Sequence, residues 1–210
     1  GKFVSVNPVR TGYQAIADEW VGIRPGTDAM LALSFVHVLL KNDQFDWDFL
    51  VRYTNSTQVV VIDPGNKGDG MILRNDDGQP LVWSLKSNSY EPWDNVDCKP
   101  ALFGEYTAPD GRTVKTVMTL IAEKYLDEQY APEKAAKITG VKAEDIERMA
   151  LEMAHVAFKE SIEIPTPWID WAGRKHDSFV GRPVAMHAMR GISAHSNGFQ
   201  ACRAIHMVQV

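Results

Sequence analysis

Three short segments of this 210-residue chain carry side chains able to hold or act on a ligand. The first, Asn7-Pro8-Val9-Arg10-Thr11, follows an apolar run at residues 3–6. Open α/β sheets place ligands where loops leave the carboxyl ends of their strands. The second, Arg24-Pro25-Gly26-Thr27-Asp28, leads into a strongly apolar stretch. Gly26 lets backbone come close to a bound group, and a carboxylate at Asp28 can accept two hydrogen bonds from a guanine-type N–H edge. The competing reading of Asp28 is an ordinary helix N-cap. The third, Arg190-Gly191-Ile192-Ser193-Ala194-His195-Ser196-Asn197-Gly198, combines a cation, an imidazole, hydroxyls and two glycines. Its competing reading is a loop with capping chemistry.

Familiar catalytic patterns are missing. No GxGxxG follows a strand and no GxxxxGK(S/T) occurs, so neither a dinucleotide fingerprint nor a P-loop can be claimed; HExxH, CxxC and GxSxG are absent too. Four of the six histidines, His176, His187, His195 and His206, fall in the last 35 residues, none at helical i, i+4 ligand spacing. They line either a polar pocket near residues 191–198 or ordinary surface and core positions. Cys98 and Cys202 form neither a disulfide framework nor a cluster set, which usually takes four thiolates, and read as structural thiols.

The elements that must position these segments alternate as in an α/β domain. Residues 3–6 predict a strand and 14–20 a helix. Residues 30–40 predict a helix buried on most of its circumference, with Thr27 or Asp28 as cap. A helix over 46–53 and a buried strand over 59–62 follow. Turn clusters at residues 64–68, 75–78 and 109–111, with short β-rich runs at 71–73 and 81–83, predict a hairpin-rich insertion over about 64–112. Helices are expected again over 114–129, 132–139 with Gly140 just past the end, and 143–158, where Ile146, Met149, Ala150, Met153, Ala154 and Ala157 trace one apolar stripe. Pro165-Thr166-Pro167 marks a loop, residues 183–189 a returning strand, and Gly198 the start of a terminal helix.

Composition bounds the whole. With 45% hydrophobic residues and a net charge of −5, the chain is neither disordered nor basic enough to track a nucleic-acid backbone. Its longest apolar stretch, residues 29–40, falls short of the roughly 20 residues of a membrane span, so a soluble chain is expected. It opens Gly1-Lys2 without a Met or a targeting signal and stops inside a helical-looking run, which predicts a piece of a longer protein.

Asn7-Pro8-Val9-Arg10-Thr11, then Ala17-Asp18, then Arg24-Pro25-Gly26-Thr27-Asp28 before an apolar helix, resembles the molybdopterin oxidoreductases of the dimethyl-sulfoxide-reductase superfamily. Tyr130-Ala131-Pro132-Glu133, Ile138-Thr139-Gly140-Val141, Ile146-Glu147-Arg148-Met149-Ala150 and the 190–198 segment extend the likeness over nearly the whole chain. The resemblance implies a central Rossmann-like, three-layer α/β domain of a large catalytic subunit, residues 1–210 forming one domain with its insertion. It implies bis-molybdopterin guanine dinucleotide carrying molybdenum or tungsten, and a 4Fe-4S cluster in the missing part. Asn7, Pro8, Val9, Arg10, Thr11, Gly26, Thr27 and Asp28 would line the guanosine end, and the loop containing Gly191 would lie near the pterin. No metal-ligand residue is expected within the chain.

Periplasmic-type nitrate reductases carry Met and Gln where this sequence has Arg190 and Ala194. With Trp168-Ile169-Asp170-Trp171-Ala172-Gly173-Arg174 and Met186-His187-Ala188-Met189-Arg190-Gly191, that difference resembles the branch acting on sulfur oxyanions or polysulfide. Arg190 would attract an anionic substrate and His195 would supply a proton or hydrogen bond. Expected partners are a small anionic substrate and the remaining domains of the same subunit, plus separate iron–sulfur electron-transfer and membrane anchor subunits, with no nucleic acid. The isolated piece should be inactive. Two alternatives stay open: an arsenate, formate or nitrate branch, and a non-catalytic nucleotide-binding module.

Overall fold

The computed structural model describes residues 1–10, 12–188 and 190–210. In chain order the elements are β1 (Val4–Val6), β2 (Glu19–Val21), α1 (Asp28–Lys41), α2 (Trp47–Tyr53), β3 (Val59–Ile62), β4 (Leu81–Ser84), β5 (Ser89–Pro92), β6 (Glu105–Thr107) and β7 (Thr113–Thr116). They continue with α3 (Val117–Tyr125), α4 (Pro132–Thr139), α5 (Ala143–Lys159), β8 (Ile162–Ile164), β9 (Trp168–Ile169), β10 (Lys175–His176), β11 (Phe179–Gly181), α6 (Arg190–Ser193) and α7 (Gly198–Gln209). Helices and strands mix throughout, as the α/β pattern predicts, and the sheets are small, of two or three strands each. Among the described residues no helix is long and apolar enough to cross a membrane.

The chain divides into two compact units, one of Gly1–Phe45 with Asp127–Gln209 and the other of Asp46–Leu126 with Val210. In the first, α1 is the hub and packs against α4, α5 and α7. Its apolar positions run almost all round, so Leu31, Phe35 and Val38 join Val21, Ile23, Ala135, Val141, Ile146, Met149 and Ala150 in one core. Each large side chain so buried is worth about 1.5–3 kcal/mol. On the side of α1 facing α7, Ala32 meets Ala204 and Ile205. Pro132 opens α4, where its missing N–H costs nothing, and Gly140 closes it in the left-handed conformation at φ 79°. In α5 the expected stripe turns Ile146, Met149, Ala150 and Ala154 inward.

Two expectations fail in this unit. Residues 14–20 are not helical: Gly12–Ala15 form a 3-10 turn and Glu19–Val21 a strand, because pairing with β1 decides the conformation of so short a run. Residues 183–188 carry no regular ladder, and Met189 lies outside the described residues. Residues 162–181 instead form an antiparallel ribbon. Ile162 pairs with Gly181, Glu163 with Val180 and Ile164 with Phe179, and further out Trp168 pairs with His176 and Ile169 with Lys175.

The second unit holds the antiparallel sheet β3-β7-β6 and the hairpin β4-β5, around a core of Val59, Val61, Leu73, Leu81, Ala108 and Val114. Residues 114–116, expected as the start of a helix, belong instead to β7, which pairs with β3 and β6, and the helix begins only at Val117, capped by the Thr116 hydroxyl. The hairpin-rich residues 64–112 lie inside this unit. Trp83 stacks on Tyr106 at 4.4 Å and meets Tyr90 edge-on at 5.0 Å.

Candidate functional site

β1 and β2 are parallel, Val4 opposite Glu19, Ser5 opposite Trp20 and Val6 opposite Val21. Their carboxyl ends therefore share one edge, and both candidate loops leave from it. The Asn7 amide extends the ladder by donating to the Val21 carbonyl at 3.1 Å. The Asn7 side-chain oxygen then accepts from the Val9 amide at 3.0 Å, an Asx turn that bends the chain after the strand. Trp20 fixes this bend from the neighbouring strand: its indole N–H donates to the Asn7 carbonyl at 3.1 Å, and its ring lies 5.7 Å beneath the Arg10 guanidinium. Pro8, Val9 and Arg10 are exposed, and Thr11 lies outside the described residues. Trp20 was not singled out by sequence. An indole among the three residues of a short strand was the only signal.

The second loop is a turn written in its residues. Pro25 and Gly26 occupy the central positions between Arg24 and Thr27, whose amide donates back to the Arg24 carbonyl at 3.3 Å, and Gly26 sits at φ 78°. Proline then glycine with positive φ is the type II pattern. The Thr27 hydroxyl also donates to the Arg24 carbonyl, at 2.7 Å, so it does not cap α1 although Thr27 holds the N-cap position. Asp28 follows as the first helical residue, and its carboxylate accepts no hydrogen bond from the described residues. It stays available at the positive end of α1. Arg24 is structural: its guanidinium donates to the Lys137 and Ile138 carbonyls at 2.6 and 3.2 Å and closes the end of α4.

The third segment folds as the short helix α6 and a turn into α7. The Ser193 hydroxyl donates to the Arg190 carbonyl at 2.9 Å, and the Gly198 amide to the His195 carbonyl at 2.9 Å. Gly198 is required by crowding, since a Cβ there would stand 2.2 Å from the Ser193 carbonyl oxygen. Gly191 is the opposite case, with nothing within 4 Å of a Cβ. Arg190 is exposed, and no described carboxylate pairs with it. His195 comes to the second loop: its Nδ1 lies 3.9 Å from where a Cβ on Gly26 would be. The fold thus brings the segments at 7–10, 26–28 and 190–198 towards one another through two links, the shared edge of β1 and β2 and the approach of His195 to the open face of Gly26.

An ionic cluster holds β2 in place. Glu19 binds Arg148 of α5 and lies 2.7 Å from the Lys2 ammonium, while Arg148 also reaches Asp145 and Glu152 at 3.1 Å. Hydrogen bonds from Arg148, and then Lys2, hold the Glu19 carboxyl below its usual range, and the same carboxylates push the Arg148 guanidinium up. Among the described residues no three His, Cys, Asp or Glu side chains converge as a metal site. Cys98 and Cys202 are half-buried and unpaired, and burial pushes the Cys98 thiol up, which keeps it protonated.

No family model matches the chain. It is similar to a sulfite dehydrogenase subunit of Allochromatium vinosum, 45% identical over 98% of this chain and 22% of that protein. It is also similar to the alpha chain of perchlorate reductase of Dechloromonas aromatica, 28% identical over 73% of this chain and 20% of that protein. Among solved structures, acetylene hydratase from Pelobacter acetylenicus covers 99% of the chain with a TM-score of 0.49 and 16% identity, over 16% of its own length. The chain spans about a fifth of the length of the curated relatives it matches. With identity of this level sustained along its whole length, the chain belongs to the molybdopterin oxidoreductase superfamily.

Proposed function

We propose that this chain is a cofactor-binding part of the catalytic subunit of a molybdopterin-dependent oxidoreductase whose substrate is a sulfur oxyanion or polysulfide. In this reading Asn7, Pro8, Val9, Arg10 and Thr11, with Gly26, Thr27 and Asp28, receive the guanosine end of a molybdopterin guanine dinucleotide, and Gly191 leaves room for close backbone approach. The observation that carries it is the meeting of these segments, with β1 and β2 opening onto one edge and His195 against Gly26.

The residues suit such a group. The Asp28 carboxylate, without a hydrogen bond from the described residues, is an acceptor for the paired N–H donors of guanine. The glycine turn and the open face of Gly191 admit a bulky ligand close to backbone. When bound, the metal and pterin supply the two-electron redox chemistry, and electrons leave to iron–sulfur centres in other parts of the same polypeptide or in a partner subunit. The chain's own part is to bind and orient. The exposed Arg190, with no described carboxylate beside it, draws in an anion, and the sulfite dehydrogenase relative supports a sulfur oxyanion as that anion. His195 offers its proton or hydrogen bond at the Gly26 turn.

Titration of the chain with GMP, using AMP as control, tests the guanosine assignment. GMP should bind more tightly than AMP, and Asp28→Ala should weaken GMP by about tenfold, or roughly 1.4 kcal/mol. Equal binding by the variant would leave Asp28 as a first-turn residue only. In the full-length subunit, elemental analysis should find molybdenum or tungsten, and Arg190→Ala should raise the KM for sulfite in a dye-reduction assay.

A further inference from the structure

The ribbon of residues 162–181 is densely hydrogen-bonded at its tip and poorly covered. Asp170 organises its tip: one carboxylate oxygen accepts from the Ala172 and Arg174 amides at 3.0 and 2.9 Å, the other from Arg174 Nε at 2.7 Å and His176 Nε2 at 3.1 Å. These bonds, the Arg174 backbone amide first, hold the Asp170 carboxyl far below its usual range. Trp168 stacks on His176 at 4.5 Å, meets Phe179 edge-on, and donates its indole N–H to the Ser178 carbonyl at 3.0 Å. At the base, the Arg182 guanidinium lies 5.1 Å over the Phe158 ring of α5.

Cross-strand pairing puts Ile162, Ile164, Phe179 and Gly181 on one face, and the Trp168 ring joins it through Phe179. None of these is an Asp, Glu, Lys or Arg. Ile162, Ile164, Trp168 and Phe179 are nonetheless exposed, and Trp171 at the tip is 96% exposed. A two-stranded ribbon without a third strand or a helix on its apolar face is marginal in water. Such a face needs a lasting cover.

Transient interfaces are about as apolar as ordinary protein surface, while permanent ones resemble a core cut in half. A charge-free face belongs to the second kind. The sulfite dehydrogenase relative aligns with 98% of this chain, too much to leave the ribbon out, and that stretch is 22% of its length. A longer polypeptide of this sort carries its own permanent neighbour, held at high effective concentration by the covalent link.

We propose that the 162–181 ribbon is a docking arm whose Ile162, Ile164, Phe179 and Trp168 face is covered by another segment of the same, longer polypeptide. This rests on the reading of the chain as part of a larger catalytic subunit. The test uses the full-length subunit, purified without partners and shown monomeric by light scattering, with a benzophenone amino acid in place of Phe179. Irradiation should join this position to a peptide of the same chain outside these 210 residues. In a second variant, Ile164→Asp, limited proteolysis within 162–181 should run about tenfold faster, as the open form becomes more populated. Cross-links only between two copies, only after a partner subunit is added, or only within these 210 residues would overturn the proposal. Failure of the cofactor reading would show separately, as a subunit lacking molybdenum and tungsten whose cross-links are unchanged.

Discussion

The His195 imidazole rests against the Gly26 turn, its Nδ1 3.9 Å from the point where a side chain on Gly26 would begin. Positions 169 residues apart in the chain are neighbours at the start of α1. Because Gly26 holds φ 78°, any L side chain there is strained, although the ring leaves a Cβ at ordinary contact distance. Gly26→Ala should cost about 1–3 kcal/mol and weaken GMP binding, whereas Gly26→Asn, whose side chain tolerates the left-handed region, should cost less. Thermal denaturation of the two variants checks the order, and an unchanged midpoint for Gly26→Ala would mean that the turn relaxes freely.

Gly191 and Gly198 bracket the same segment and should respond differently. A methyl at Gly198 meets the Ser193 carbonyl at 2.2 Å, while one at Gly191 meets nothing within 4 Å. Gly198→Ala should therefore destabilise the fold by about 1–3 kcal/mol. Gly191→Ala should leave denaturant stability within about 0.5 kcal/mol. If Gly191 also faces the cofactor, its variant should fold normally yet retain less molybdenum in the full-length subunit.

The ionic cluster at Glu19 sets an acid limit. Its folded-state pKa is depressed, so its contribution is present above the ordinary glutamate pKa of about 4.3 and is lost as pH falls through the lower folded value. Glu19 and Arg148 are each partly open to solvent, at 25% and 34% side-chain exposure. Screening limits the pair to about 1 kcal/mol. Glu19→Gln should lower stability at neutral pH by about that amount and flatten the fall below pH 4.3. Urea denaturation at a series of pH values and two salt concentrations reads both effects.

Tyr90 buries a hydroxyl with no hydrogen-bond partner among the described residues, and burial pushes its pKa up to about 12. A raised pKa means that stability is full below the unfolded value of about 10 and is lost as pH rises from there towards 12. Tyr90→Phe keeps the ring against Trp83 and removes the uncompensated polar atom. It should be neutral or stabilising by about 1 kcal/mol at pH 7 and should lessen the alkaline loss. Tyr106, also raised by burial, retains its own share of that loss. A clear destabilisation by Tyr90→Phe at pH 7 would mean that the hydroxyl has a bound partner in solution.

Local signals made the helices legible. The apolar circumference of α1, the Pro132 and Gly140 punctuation of α4 and the stripe of α5 each follow from spacing and residue type. Short strands were less so. β2 is three residues long and exists because β1 pairs with it, and β7 turns a helical-looking run into the centre of a sheet. The candidate segments could be named from Gly, Pro, Asp, Arg and His content, and the Pro25-Gly26 turn almost specified itself. Their convergence was implied by the family resemblance alone and by no local pattern, because it depends on the parallel pairing of β1 with β2 and on where α7 delivers His195. What Arg24 does was hidden for the same reason, since its acceptors lie more than a hundred residues away, at the end of α4.

That distance bears on how the protein is made. The first unit draws on Gly1–Phe45 and Asp127–Gln209, so α1 emerges from the ribosome well before the α4, α5 and α7 surfaces it packs against. At ~5–20 residues per second the intervening stretch takes roughly 4–16 s to synthesise. During that interval Leu31, Phe35 and Val38 lack most of the partners of their core. The nascent chain thus keeps this apolar face uncovered until Val141 and Ile146 emerge, and synonymous changes that slow translation within Asp46–Leu126 lengthen the exposure without altering a single residue.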